Sequence, residues 1–201
     1  VSPMQKLQMD TQEGENVCVY AIHGNFDDAQ SGVKRIFTDP EIGAKLKENN
    51  MLFSSANSIN WGRLAPQIVY YVSAYCDLLN NGEDLQNGFD VVVPTGNFGN
   101  ILAAYYAKCM GVPITKLVCA SNANNVLTDF INTGVYNRNR EFFTTMSPSM
   151  DILISSNLER MLYHLSGNDS DFTAKIQKDL ATDGAFSISD DMLKSLQELY
   201  F

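Results

Sequence analysis

Val92-Val93-Pro94-Thr95-Gly96-Asn97-Phe98-Gly99-Asn100-Ile101-Leu102 is the stretch on which the fold turns: an apolar strand ends, a loop bracketed by two glycines follows, and a helix begins. Open α/β sheets bind ligands outside the carboxyl ends of their strands. The first turn of a helix presents N–H groups without intrahelical acceptors, and a partial positive charge. Gly96 and Gly99 let the backbone approach an anion closely and permit a positive φ. The stretch therefore suits a phosphate group without calling on lysine or arginine. A tight strand–helix turn that binds nothing explains the same glycines equally well. Nucleotide-binding readings fare worse. No Lys-Ser/Thr pair follows Gly99, as a P-loop requires. The next strand ends Cys119-Ala120-Ser121-Asn122, with no carboxylate for a ribose.

Working outward, residues 89–94 read as a strand, 99–110 as a helix stopped by Gly111, 116–120 as a strand and 125–132 as a helix stopped by Gly134. Upstream, Ile59, Trp61, Leu64, Ala65, Ile68, Val69, Val72, Cys76 and Leu79 recur at helical spacing and predict one long helix with a wide apolar face, ending before Gly82. Near the start, Ser2-Pro3-Met4 opens a short helix, and Val17-Cys18-Val19-Tyr20-Ala21-Ile22-His23 is an apolar run of strand length closed by Gly24-Asn25. Asp27-Asp28 then cap a helix through Val33, Ile36 and Phe37, Pro40 starts a more polar one, and residues 51–56 read as another strand. Three strand–helix units with apolar strands predict an α/β fold, a parallel sheet flanked by helices on both faces. Downstream, Ser156 is expected to cap a helix through Leu158, Met161, Leu162 and Leu165, with amphipathic helices over 171–180 and 190–201. A composition shift at Asn49-Asn50 divides the chain into residues 1–50 and 51–201.

Composition narrows the partners. The 201 residues carry 14 Lys plus Arg against 23 Asp plus Glu, a net charge of −9, and 45% are hydrophobic. That is enough apolar material for a core, which excludes a disordered chain. An acidic surface with few arginines offers no basic track, so nucleic acid is not expected as a partner. No apolar run reaches the ~18 residues of a membrane span, and no basic-plus-apolar leader opens the chain. Cys18, Cys76, Cys109 and Cys119 lie far apart, without a CxxC pair or a histidine at ligand spacing. Reduced thiols in a cytoplasmic protein are expected rather than disulfides or a metal site, with Cys18 and Cys119 buried in strands. The start at Val1, without methionine, suggests a segment of something longer.

Pro94-Thr95-Gly96-Asn97-Phe98-Gly99-Asn100 resembles the phosphate cradle of threonine synthase, a two-lobed pyridoxal-phosphate enzyme of fold type II, the tryptophan-synthase-β type. Four further segments resemble that family in the same order: Ser2-Pro3-Met4-Gln5, Gly24-Asn25-Phe26-Asp27-Asp28, Ser55-Ala56-Asn57-Ser58-Ile59-Asn60 with Arg63-Leu64, and Ser149-Met150-Asp151-Ile152 followed by Asn157 and Arg160. The resemblance implies pyridoxal 5'-phosphate as cofactor, with Gly96, Asn97, Phe98, Gly99 and Asn100 holding its phosphate. It implies conversion of O-phospho-L-homoserine and water to L-threonine and phosphate, a carbon–oxygen lyase reaction of amino-acid biosynthesis. The family often ends the loop with an acidic residue where this chain has Asn100. Its Schiff-base lysine lies in a Ser-Phe-Lys-Asp segment, and none of the nine lysines here stands in one. Residues 1–50 are then expected to be the C-terminal part of the smaller lobe and 51–201 an incomplete core of the larger, inactive by itself. A rival reading is a complete, non-catalytic α/β module that binds a phosphorylated metabolite through Gly96–Gly99. A third is a subunit that takes its lysine from a partner chain.

Asn57, Ser58, Asn60 and Arg63 stand where a strand turns into the long helix, and their amide, hydroxyl and guanidinium groups are candidates for contacting a phosphorylated substrate. The plain alternative is an N-cap at Ser58 and a surface arginine at Arg63. His23, at a strand end, is more simply structural than a base, and His164 suits the negative end of its helix. Asp151 and Asn157 are candidates for the cleft wall. Trp61, Tyr70, Tyr71 and Tyr75 read as packing residues.

Overall fold

The protein, seen in a computed structural model that describes residues 3–24 and 26–200, divides into two units that meet between Ser54 and Ser55. In the first unit, α1 (Pro3–Asp10), α2 (Phe26–Thr38) and α3 (Pro40–Glu48) are the regular elements. The start of α3 follows from its sequence: Pro40 occupies its first turn, and the Asp39 carboxylate accepts from the N–H of Glu41 at 2.9 Å and of Ile42 at 3.2 Å. The strand expected over residues 17–23 does not form, nor does the one over 51–56. Val17, Val19, Tyr20 and Ile22 are exposed, as is Cys18, against the expected burial. A strand exists only through its ladder, and among the described residues this unit provides no second strand to pair with. Ser2 and Asn25, on which the opening helix and one turn were read, lie outside the described residues.

The second unit holds the core. The long helix expected from residue 58 onward is broken into α4 (Trp61–Leu64), a 3₁₀ turn (Ala65–Gln67) and α5 (Ile68–Asn80). The break falls at Pro66, which has no N–H to donate and whose ring crowds the preceding turn. β1 (Phe89–Pro94) pairs in parallel with β2 (Ile114–Ala120), with Val93 opposite Cys119 and Pro94 opposite Ala120. Leu117 of β2 also bridges in parallel to Tyr200. Between β1 and β2 runs α6 (Gly99–Cys109), whose Ile101, Leu102, Ala103, Ala104 and Ala107 have no exposure at all. A helix apolar on so many sides belongs in the middle of a fold.

α7 (Val126–Thr133) follows β2 and ends on Gly134, in the left-handed conformation. β3 (Val135–Asn137) then pairs antiparallel with β4 (Ala185–Ser187) in a separate two-stranded sheet, while of the three strand–helix units expected it is the first, opening at residues 51–56, that lacks its strand. Neither strand was foreseen: three residues are too few to show a period. Stacked Tyr136 and Phe186 rings, centroids 5.2 Å apart, pin them beneath Phe130. A 3₁₀ turn (Pro148–Met150), α8 (Leu158–Leu165), α9 (Ser170–Thr182) and α10 (Asp190–Leu199) complete the unit, packing Leu158, Met161, Leu162, Ile176 and Leu196 onto the same core.

Candidate functional site

The expected loop lies where β1 delivers it. Pro94 ends the strand, the Thr95 N–H still donates to the Ala120 carbonyl at 2.8 Å, and α6 begins at Gly99. Between them the backbone turns on Phe98, with φ of 61° and ψ of 4°. The left-handed residue is thus Phe98, while Gly96 and Gly99 keep ordinary φ, contrary to the expectation that the glycines would supply it. What the glycines supply is closeness. A Cβ on Gly96 would stand 3.1 Å from Ile152 Cδ1, and one on Gly99 would stand 3.3 Å from Asn157 Nδ2 and 3.5 Å from Ser58 Cβ. Phe98 tolerates its strained backbone because its ring is buried, 5.2 Å from the Tyr200 ring.

Segment 155–157 lies under the loop. Ser155 Oγ donates to the Gly96 carbonyl at 2.8 Å, and both the backbone N–H and Nδ2 of Asn157 donate to the Asn97 carbonyl at 3.0 Å. Ser156 Oγ donates to Asn97 Oδ1 at 3.3 Å, so Ser156 holds the loop rather than capping α8; the N-cap of α8 is Asn157. The carbonyls of Gly96 and Asn97 are engaged, yet among the described residues no acceptor meets the N–H groups of residues 96–101. The residues that carry these amides line a pocket of about 190 Å³ together with residues 93–95, Ser58, Arg63 and Gln67.

The structure therefore brings Ser58 and Arg63 to the loop, but it leaves Asn57 and Asn60 outside the pocket lining. Asn57 Oδ1 accepts from the Ile59 N–H at 2.9 Å, and Asn60 Oδ1 caps α4 through the Gly62 N–H at 2.8 Å. Both side chains shape the turn that presents Ser58. The N-cap of this helix is Asn60, not Ser58. Arg63 is anchored by Nη1 donating to the Ala56 carbonyl at 2.7 Å and is the cation of the pocket wall; no lysine lines it. The Asn100 side chain is bonded within the protein: Oδ1 accepts from the Tyr71 hydroxyl at 2.6 Å, and Nδ2 donates to Gln67 Oε1 at 2.9 Å. Burial pushes the Tyr71 hydroxyl up to about 12, so it stays a donor at any working pH. Gln67 carried no signal in the sequence and Tyr71 read only as a packing residue, because only the folded chain brings the 3₁₀ turn and α5 against the start of α6.

Behind the pocket, burial pushes the Cys119 thiol up to about 11, with the Thr95 hydroxyl opposing, which leaves it a neutral core group. Asp151 is buried in the loops past β2 and accepts from Asn122 Nδ2 at 2.7 Å, Asn124 Nδ2 at 3.2 Å, Thr145 Oγ1 at 2.7 Å and the Thr145 N–H at 2.9 Å. Burial alone would raise its pKa, but the bonds from Thr145, Asn122 and Asn124 outweigh it and hold the carboxyl below its usual range. This network holds Asp151 between Met150 and Ile152, whose atoms stand against Gly96. His23 is exposed and in no strand, while His164 Nε2 pairs with the Tyr106 hydroxyl at 2.8 Å, a structural contact. No metal-binding cluster of His, Cys, Asp and Glu occurs among the described residues.

A parallel sheet flanked by helices, with a glycine loop and a helix N-terminus at a strand's carboxyl end, matches the fold of solved threonine synthases. The pyridoxal-phosphate-bound threonine synthase from Brucella melitensis superposes with a TM-score of 0.82 at 40% identity, the match covering 100% of this chain and 41% of that one. The chain thus has the fold of the fold type II pyridoxal-phosphate enzymes. Within that class it is homologous to the threonine synthases and threonine synthase-like proteins. It is 47% identical over 201 residues to threonine synthase-like 1 of Homo sapiens, covering 98% of this chain and 27% of that protein. It is 40% identical over 203 residues to the threonine synthase of Saccharomyces cerevisiae, covering 96% of this chain and 38% of that one. No family profile matches the chain. The chain spans well under half the length of these relatives.

Proposed function

We propose that this chain is the phosphate-holding portion of a pyridoxal-phosphate-dependent threonine synthase, a cytoplasmic enzyme of amino-acid biosynthesis that converts O-phospho-L-homoserine and water to L-threonine and phosphate. The observation that carries the reading is the row of amide groups of residues 96–101, which have no acceptors among the described residues and belong to residues that line a pocket. A dianionic phosphate is the complement of such a row, and a helix N-terminus adds its partial charge. Pyridoxal phosphate, when bound, supplies an electron sink for breaking bonds at the substrate's carbons. In this chain, Gly96, Asn97, Phe98, Gly99 and Asn100 bind the cofactor phosphate through their backbone. Asn100 leaves no carboxylate near that dianion. Arg63 and Ser58, on the facing wall, bind the phosphorylated substrate, and Asn57 and Asn60 hold the turn that presents them. The proton-transferring lysine belongs to a part of the parent outside residues 1–201, so the chain alone is inactive. Residues 1–50 belong to the smaller lobe and 51–201 to the larger.

The test is phosphate release from O-phospho-L-homoserine by the full-length polypeptide loaded with pyridoxal phosphate. Stoichiometric phosphate and threonine are expected; cofactor retention without either product would overturn the assigned reaction. That second outcome describes a relative that binds a phosphorylated ligand without synthase chemistry.

A further inference from the structure

The loop's carbonyls, and not only its amides, are held in place, and the residue at the end of that chain of bonds is Arg160. We infer that Arg160, acting through Asn157, is a positioning residue that aims the amide groups of Asn97 and Phe98 into the phosphate pocket. The inference rests on the reading that this pocket holds a phosphate.

In a trans peptide unit the carbonyl of one residue and the N–H of the next point in opposite directions within one plane. Ser155 holds the Gly96 carbonyl, which fixes the direction of the Asn97 N–H. Asn157 holds the Asn97 carbonyl with two donors at 3.0 Å, which fixes the direction of the Phe98 N–H. Residues 155–157 are not part of the pocket wall, so the carbonyls point away from it and the amides toward it. The side chain of Asn157 has no exposure, and an amide turned by 180° would set its oxygen against the Asn97 carbonyl. Arg160 forbids that turn. Its Nη1 donates to Asn157 Oδ1, and because a guanidinium can only donate, Nδ2 is left facing Asn97. The other arm, Nη2, donates to the Ile59 carbonyl at 2.8 Å. Ile59 follows Ser58, which lines the pocket with the loop, so one planar fork ties the loop's support to the Ser58 turn.

The experiment uses the full-length polypeptide with Asn157→Asp and Arg160→Lys variants. It measures the pyridoxal phosphate dissociation constant, the ³¹P resonance of the bound cofactor, and the melting temperature without cofactor. Asn157→Asp keeps the acceptor for Arg160 but sets a carboxylate oxygen against the Asn97 carbonyl. It should raise the dissociation constant at least about tenfold and displace the ³¹P line. Arg160→Lys preserves charge but cannot bond Asn157 and Ile59 together, and should show a smaller change in the same two readouts. If either folded variant binds cofactor with the wild-type constant and ³¹P line, the inference is overturned, even if its melting temperature falls, for then the pair only supports the fold. Gly99→Val separates this from failure of the underlying reading. Should the wild type show no bound phosphate, or Gly99→Val leave it unchanged, the loop is not the phosphate site and the inference falls with it. A weakened Gly99→Val beside an unaltered Asn157→Asp removes the positioning role alone.

Discussion

Phe98 shows how a single residue can be unfavourable locally and required globally. A left-handed backbone costs a non-glycine residue about 1–2 kcal/mol, while truncating a buried phenylalanine costs about 3–5 kcal/mol. The ring wins, so Phe98→Gly should destabilise the second unit even though it relieves the backbone. Glycine ordinarily costs about 0.5–1 kcal/mol more than alanine in regular structure. Here the order should vanish or reverse: Phe98→Gly should be no less stable than Phe98→Ala, because only glycine regains the left-handed conformation freely. Urea midpoints of the two variants decide it, and a clearly less stable glycine variant would refute the account. The same residue shows a limit of sequence reading. Glycines flank the loop and invite the positive φ, but the strained conformation falls where a buried aromatic can hold it.

At the scale of elements, the loops that follow β2 are organised by one carboxylate. Asp151 gathers four donors and carries the segment that packs against Gly96. Its pKa is lower folded than unfolded, so its contribution is fully present above the unfolded carboxylate value of about 4 and is lost as pH falls through the folded value. Asp151→Asn places a donor among donors. It should cost about 1–3 kcal/mol at neutral pH and flatten the acid side of the stability–pH curve, as urea unfolding from pH 7 downward would measure. An unchanged acid limb would mean that another group carries it. The sequence offered Asp151 as a cleft candidate, yet it stands outside the pocket lining, and its partners Asn122, Asn124 and Thr145 were not legible, since they converge from two separate loops.

The whole molecule divides unevenly. Among the described residues of the first unit, Gln30 is the one buried side chain, whereas the second unit encloses a continuous apolar core around α6. Amide protection follows burial and ladder bonds. In the 201-residue chain, hydrogen exchange should leave residues 3–54 close to unprotected while α6 exchanges slowest. Comparable protection in both units would contradict this division. Leu7, Val19, Tyr20 and Ile22 are exposed on the first unit, so the same chain should also self-associate at high concentration, which light scattering would detect.

Local chemistry set a good deal of this protein in advance. Valine-rich β1, the helix of α6 stopped after its last turn, the caps at Asp39 and Gly134, and the loop at the strand's carboxyl end all follow from neighbours in the chain. Folding alone decided the rest. The apolar run at 17–23 needed a paired strand to become one, and β3 and β4 acquired theirs only from each other across the sequence. The orientation of the loop's amides likewise depends on Ser155, Asn157 and Arg160, some sixty residues away. Propensity, capping and turn chemistry act over a few residues, but a hydrogen bond between distant segments exists only once the core has brought them together.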